Sequence, residues 1–185
     1  MLRVFVGFFV TKKLQEWVEK LQSQSNGFIK GKWVEPQNFH ITFHFIGEVQ
    51  QERLVDILKS LQETSQKLKP VRVRYRGLGV FPSLDKARVL WIGVAGGHHQ
   101  LVDIAKSIVK ANRRVGIKEE GKPFHPHVTV CRIKEFEIKP MKDLLRLYEN
   151  TSFGEDVVDR VALVKSSLTA VGPIYTVIEE FYFRG

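Results

Sequence analysis

The sequence predicts an α+β protein, and three observations carry that prediction. Short runs such as "NFHITFHFIG" at 38–47 alternate polar and apolar residues, the period of a strand with one buried face. Between them lie stretches with apolar residues at helical spacing, of which Leu54, Ile57, Leu58 and Leu61 form the clearest. Candidate strands also follow one another directly at 71–95 and at 156–183. That order suits antiparallel pairing and argues against a doubly wound parallel sheet.

Met1 to Val10 reads as the first strand. Its apolar run ends in lysines rather than in a small-residue cleavage site, so no secretory signal is expected. Thr11 can cap the helix that follows, where Leu14, Trp17, Val18 and Leu21 fall at helical spacing until "SNG" at 25–27. After a short segment around Trp33 comes the strand Phe39 to Gly47, then a helix over about 51–68 that stops before Pro70. Strands over 71–80 and 87–95 flank the turn-rich "FPSLDK", and a helix follows over about 99–113. The extended "PFHPHVTVCRIK", a helix over about 139–148, and strands over 156–166 and 173–183 complete the chain. Two small sheets, each with helices on one face, fit this order.

A chain of 185 residues, 43% apolar and 26% charged, can bury a core without disulfides, so residues 1–185 are expected to form one domain. The single cysteine, Cys131, excludes an intramolecular disulfide and fits a reducing, cytoplasmic setting. Nothing is long and apolar enough to span a bilayer. The net charge of +9 favours phosphate-rich partners. Arg72, Arg74 and Arg76 should share one strand face, and a second basic group runs from Lys106 to Lys122. A single charge run is more often solvated surface, which is the plainer reading of each.

The chemistry rests on a repeated motif. "HITF" at 40–43 is matched by "HVTV" at 127–130, each on a predicted strand. With six histidines in the chain, chance gives His two before Thr roughly 0.2 times, which makes two instances informative. Two sheets that each present His and Thr can set them across a cleft suited to in-line displacement at phosphorus. One neutral imidazole takes a proton from water while a protonated one gives a proton to the leaving oxygen. The threonine hydroxyls donate to phosphate oxygens. No Gly-rich phosphate loop and no acidic cluster for magnesium or calcium is present.

Other residues have plainer readings. His125 and His127, or His40 and His44, could hold zinc or iron, but no Asp or Glu stands near either pair to complete a ligand set. No metal or cofactor is therefore expected. Alternation puts His44 on the face of His40, near the cleft rim, and Phe39, Ile41, Phe43 and Phe45 together behind. His98 and His99 begin a helix and should be exposed. Cys131 shares the face of His127 and Thr129 by alternation, although a small thiol is most often buried. Trp33, Phe9 and Tyr175 are candidates for stacking on a base, with core packing as the alternative.

Four blocks, "GKWVEPQNFHITFHFIGEV", "GLGVFPSLDKARVLWIGV", "FHPHVTVCR" and "LVKSSLTAVGPIYTVIEEFYF", together resemble the 2H phosphoesterases in order and spacing. Within that superfamily they are most similar to the bacterial and archaeal RNA 2',3'-cyclic phosphodiesterases, also called 2'-5' RNA ligases. The resemblance implies a bilobal fold with pseudo-twofold symmetry around a central cleft. It also implies hydrolysis of RNA 2',3'-cyclic phosphate ends, or of small cyclic nucleotides, to 2'-phosphomonoesters, with weak reversible 2'-5' ligation in some members. Carried over, His40 is the proton donor, His127 the acceptor, and Thr42, Thr129 and Arg132 bind the substrate. Strict alternation, however, puts Arg132 opposite His127 unless the strand bulges. A cytoplasmic monomer is the expected state. A non-catalytic RNA-end binding module and a 2'-5' RNA ligase proper are the alternatives.

Overall fold

Thirteen regular elements and two short 3₁₀ turns build the described residues, 1–119 and 121–185, in a computed structural model. The first half contains β1 (Leu2–Phe9), α1 (Gln15–Ser25), β2 (Ile29–Trp33), β3 (His40–Val49), α2 (Leu54–Ser65) and β4 (Val71–Phe81). The second contains β5 (Val89–Ala95), α3 (His98–Arg114), β6 (His127–Phe136), α4 (Ile138–Tyr148), β7 (Ser152–Val158), β8 (Arg160–Thr169) and β9 (Gly172–Tyr182). Four strands form one sheet in the order β3-β1-β8-β9, and five form the other in the order β2-β6-β5-β4-β7. Every pairing is antiparallel. The α+β class with two antiparallel sheets is therefore as the sequence indicated.

The helices join the two sheets. Trp17 of α1 meets Phe153 of β7 edge-on at 5.1 Å, so the helix that follows a strand of the four-stranded sheet packs on the five-stranded one. The reverse holds for α3, which follows β5 yet lies against β3. There Asn112 bonds the His44 ring at 3.0 Å and accepts from Ser60 of α2 at 3.2 Å. One apolar core, containing Leu21, Ile41, Ile57, Leu101 and Val128, runs through both layers.

Two local expectations are corrected. The expected strand over 156–166 is two strands, β7 in one sheet and β8 in the other, with the chain passing between sheets at Asp159. No glycine or proline marks that crossing, so periodicity alone reads it as continuous. Thr11 does not cap α1, whose N-cap is Leu14. Instead the Thr11 amide donates to Asp156 at 2.9 Å, the Lys12 amide at 3.2 Å and the Tyr75 hydroxyl at 2.8 Å, with the Thr11 hydroxyl as a fourth donor. Burial pushes the Asp156 carboxyl upward, but these hydrogen bonds to its charged form outweigh that and hold it below its ordinary value. The β1–α1 connection is thereby fastened to the opposite sheet.

Candidate active site

His40 opens β3 and His127 opens β6, and the same local bond orients both. In each the ring Nδ1 meets the carbonyl two residues back, Asn38 at 2.7 Å and His125 at 2.6 Å. A carbonyl only accepts, so Nδ1 carries the proton and Nε2 is the accepting nitrogen of the neutral ring. Burial lowers both imidazoles below the ordinary value of 6.5. The carbonyl bond opposes that shift at each ring, while the charges on His127 and Arg132 add to it at His40. Both rings are therefore mainly neutral in the free protein at neutral pH.

Between the lobes lies a cavity of about 510 Å³ whose lining includes His40, Thr42, Thr129 and Arg132. His127 stands beside it, two residues before Thr129, in a wall made by Phe81 at 5.0 Å, Trp91 at 6.0 Å and His125 at 6.1 Å. His40 has its own aromatic surround of Phe5 at 4.9 Å, Tyr175 at 5.2 Å and Phe9 at 5.8 Å. Trp91 lies flat because Gly79 is its register partner; a Cβ on Gly79 would fall 2.1 Å from the ring.

A pair of bulges explains why strict alternation misplaces four residues. On β6, Thr129 pairs with Trp91 and Cys131 with Leu90, leaving Val130 as the extra residue. On β3, Thr42 pairs with Gly7 and His44 with Val6, leaving Phe43 over. At each bulge two successive side chains turn inward, Val130 with Cys131 and Phe43 with His44, and all four are buried. The next residue, Arg132 or Phe45, then returns to the cleft and lines the cavity. His44 is thus a core residue bonded to Asn112 rather than a rim histidine, so the His40–His44 pair does not form. Cys131 leaves the cleft face, and burial pushes its thiol up to about 12. Among the described residues no cluster of three metal-ligating side chains occurs.

The other candidates divide. Trp33 and Tyr175 line the cavity, whereas Phe9 reaches it only through His40 and Tyr175. His98 and His99 start α3 and are exposed. Arg72 and Arg74 share Glu155 at 3.6 and 2.8 Å, and Arg76 donates to Asn150 at 2.7 Å. Sequence reasoning missed Lys32, which faces Arg132 directly across the β2–β6 ladder and lines the cavity. Like charges side by side in a sheet repel, and neither Lys32 nor Arg132 forms an ion pair with a carboxylate among the described residues. Such a pair is suited to holding an anion. The β8–β9 hairpin follows the antiparallel pairing expected for consecutive strands at 156–183, but its place at the cavity was not foreseen. Its tip reaches over the cavity, where Lys32 Nζ donates to the Val171 carbonyl.

Two strands that each open with a carbonyl-held histidine and a threonine, beside a cavity lined by Lys32 and Arg132, form an arrangement suited to a phosphoesterase class of protein. Comparison with known proteins agrees. The family model described as LigT like Phosphoesterase matches twice, over residues 9–91 and 92–175. The RNA 2',3'-cyclic phosphodiesterase of Aquifex aeolicus is 47% identical over the whole chain and 99% of its own length. That of Methanocaldococcus jannaschii is 35% identical over 97% of this chain and all of its own. Among solved structures, TT0787 of Thermus thermophilus superposes with a TM-score of 0.84 at 29% identity, covering 100% and 99% of the two chains. E. coli LigT complexed with 3'-AMP superposes at 0.80 and 20% identity over the same shares. The chain belongs to the LigT-like phosphoesterase family.

Proposed function

We propose that this protein hydrolyses the 2',3'-cyclic phosphodiester at RNA ends to a 2'-phosphomonoester by two-histidine acid–base catalysis. The observation that carries this reading is the matched pair of imidazoles, each held through Nδ1 by the carbonyl two residues back, flanking one cavity with Thr42, Thr129 and Arg132. Relatives named RNA 2',3'-cyclic phosphodiesterase, at 47% and 35% identity, support the substrate.

In the proposed step, neutral His127 Nε2 takes a proton from water as the water oxygen bonds to phosphorus. His40, protonated at Nε2, gives its proton to the 3'-oxygen as the P–O3' bond breaks, and the phosphate stays on the 2'-oxygen. The Thr42 and Thr129 hydroxyls and the Arg132 guanidinium hold the non-bridging oxygens, where charge builds in the transition state. Donor and acceptor are assigned by likeness to the family, since the two histidines have the same local geometry.

Proton transfer and charge stabilisation are both available from these side chains, so activity should survive a chelator. His40→Ala or His127→Ala should lower kcat on a nucleoside 2',3'-cyclic phosphate on the order of a hundredfold or more, the scale of acid–base catalysis. Full activity in either variant would sink the assignment. Both motifs lie on one chain, which supports a monomer with residues 1–185 acting as one catalytic unit, and the single buried thiol supports a cytoplasmic setting.

A further inference from the structure

The bulges bring the two motif strands into the same order at the cleft, with one difference that changes its charge. His40 matches His127 and Thr42 matches Thr129, but Phe45 stands where Arg132 stands. The second lobe thus sends a guanidinium into the cavity from its motif strand, while the first sends a ring. A guanidinium is present on that side nonetheless, from the neighbouring strand. Arg3 of β1 lies over the Phe45 ring, its Cζ 4.9 Å from the centroid, and lines the same cavity.

The partners of Arg3 are informative. Its register neighbour on β3 is a carboxylate, Glu48, yet among the described residues the two form no ion pair. The cation instead rests on an aromatic face, which orients a guanidinium while leaving its N–H groups available. Arg3 also stands farther from the chemistry than Arg132 does. The charge of Arg132 acts on His40, whereas Arg3, in register with Glu48, lies towards the other end of the β1–β3 ladder from the Phe9–His40 pair. The cavity therefore carries one guanidinium that acts on His40 and a second towards the opposite end of the β1–β3 ladder from it.

We propose that Arg3 anchors a second phosphate, the 5'-phosphodiester of the nucleotide that bears the reacting cyclic phosphate. This rests on the reading of the cavity as the cyclic-phosphate site. One ribose separates the two groups in an RNA end, so a chain terminus presents two anions to the cavity and a free cyclic nucleoside presents one. The planar fork of Arg3 can take two oxygens of the outer phosphate at once. The site then selects ends of chains over mononucleosides.

The test compares kcat/KM on three substrates: adenosine 2',3'-cyclic phosphate, the dinucleotide ApA ending in a 2',3'-cyclic phosphate, and the same dinucleotide with a neutral methylphosphonate link. The wild-type protein should prefer the charged dinucleotide, and neutralising its link should reduce that preference about tenfold, the scale of one charge-assisted contact. Arg3→Ala should reduce it by a similar factor, with no further loss on the methylphosphonate, and Arg3→Lys should keep part of it. Equal effects of Arg3→Ala on all three substrates, or a preference indifferent to the charge of the link, would overturn the proposal while leaving the active-site reading intact. Absence of turnover on every substrate by the wild-type protein would overturn both. Arg3 is exposed, so its replacement leaves the core untouched.

Discussion

The Nδ1–carbonyl bond at His40 and His127 fixes which nitrogen carries the proton of the neutral ring, and burial favours that neutral form. Together they set the expected pH dependence. In the free protein both imidazoles are held below 6.5, and the proposed mechanism needs the donor protonated and the acceptor not. The donor in the free protein loses its proton as pH rises through its lowered value, so kcat/KM should already be falling at 6.5 and go on declining above it. A bound phosphate anion favours the protonated donor, so kcat should hold to higher pH than kcat/KM. Paired pH–rate profiles check this, and a kcat/KM that rises to a plateau on the alkaline side would contradict it. The motif histidines and threonines were legible in the sequence because identity at a fixed spacing is a local property. Their partners were not, since Lys32 and Arg3 reach the cavity only through pairing with other strands.

Among elements, the loop after β1 shows how the lobes are held in register. Asp156 of β7 accepts from Thr11, Lys12 and Tyr75, joining that loop to the five-stranded sheet. The carboxylate is almost wholly buried, at 7% exposure. Asp156→Ala would leave the buried Tyr75 hydroxyl and the Thr11 amide without their acceptor, a loss of about 3 kcal/mol. Denaturant unfolding of the two proteins measures it, and a difference below about 1 kcal/mol would show that the bond set contributes little beyond what water supplies. Thr11 looked like a helix cap because the residue type suits both roles. Its partner lies 145 residues away, beyond any local pattern. The same limit applies to the β7–β8 crossing, where two strands of different sheets abut without a turn signal.

For the molecule as a whole, the site makes stability depend on pH in a definite direction. A histidine with a lowered native value binds fewer protons folded than unfolded, so stability falls as pH drops below 6.5 and is unaffected above it. Asp156 adds a separate window. Its lowered carboxyl contributes stability above 3.8 that is lost as pH falls through the native value. Denaturant midpoints should therefore decrease from pH 7.5 to 5.5, and again towards pH 3. In a variant with both His40 and His127 replaced by Gln, the first decrease should shrink; an unchanged profile would show that other groups govern it.

The residue pattern alone carried the α+β class, the antiparallel sheets and the two His-x-Thr motifs, because strand period, helix spacing and motif identity are all written within a few neighbouring residues. Tertiary pairing decided the rest. Only the ladders with β1 and β5 reveal that Phe43 and Val130 are extra residues, which turn His44 and Cys131 into the core and Phe45 and Arg132 into the cleft. A bulge shifts every later side chain to the other face. Sequence alternation cannot register that shift, because the residue that causes it has a partner missing on another strand.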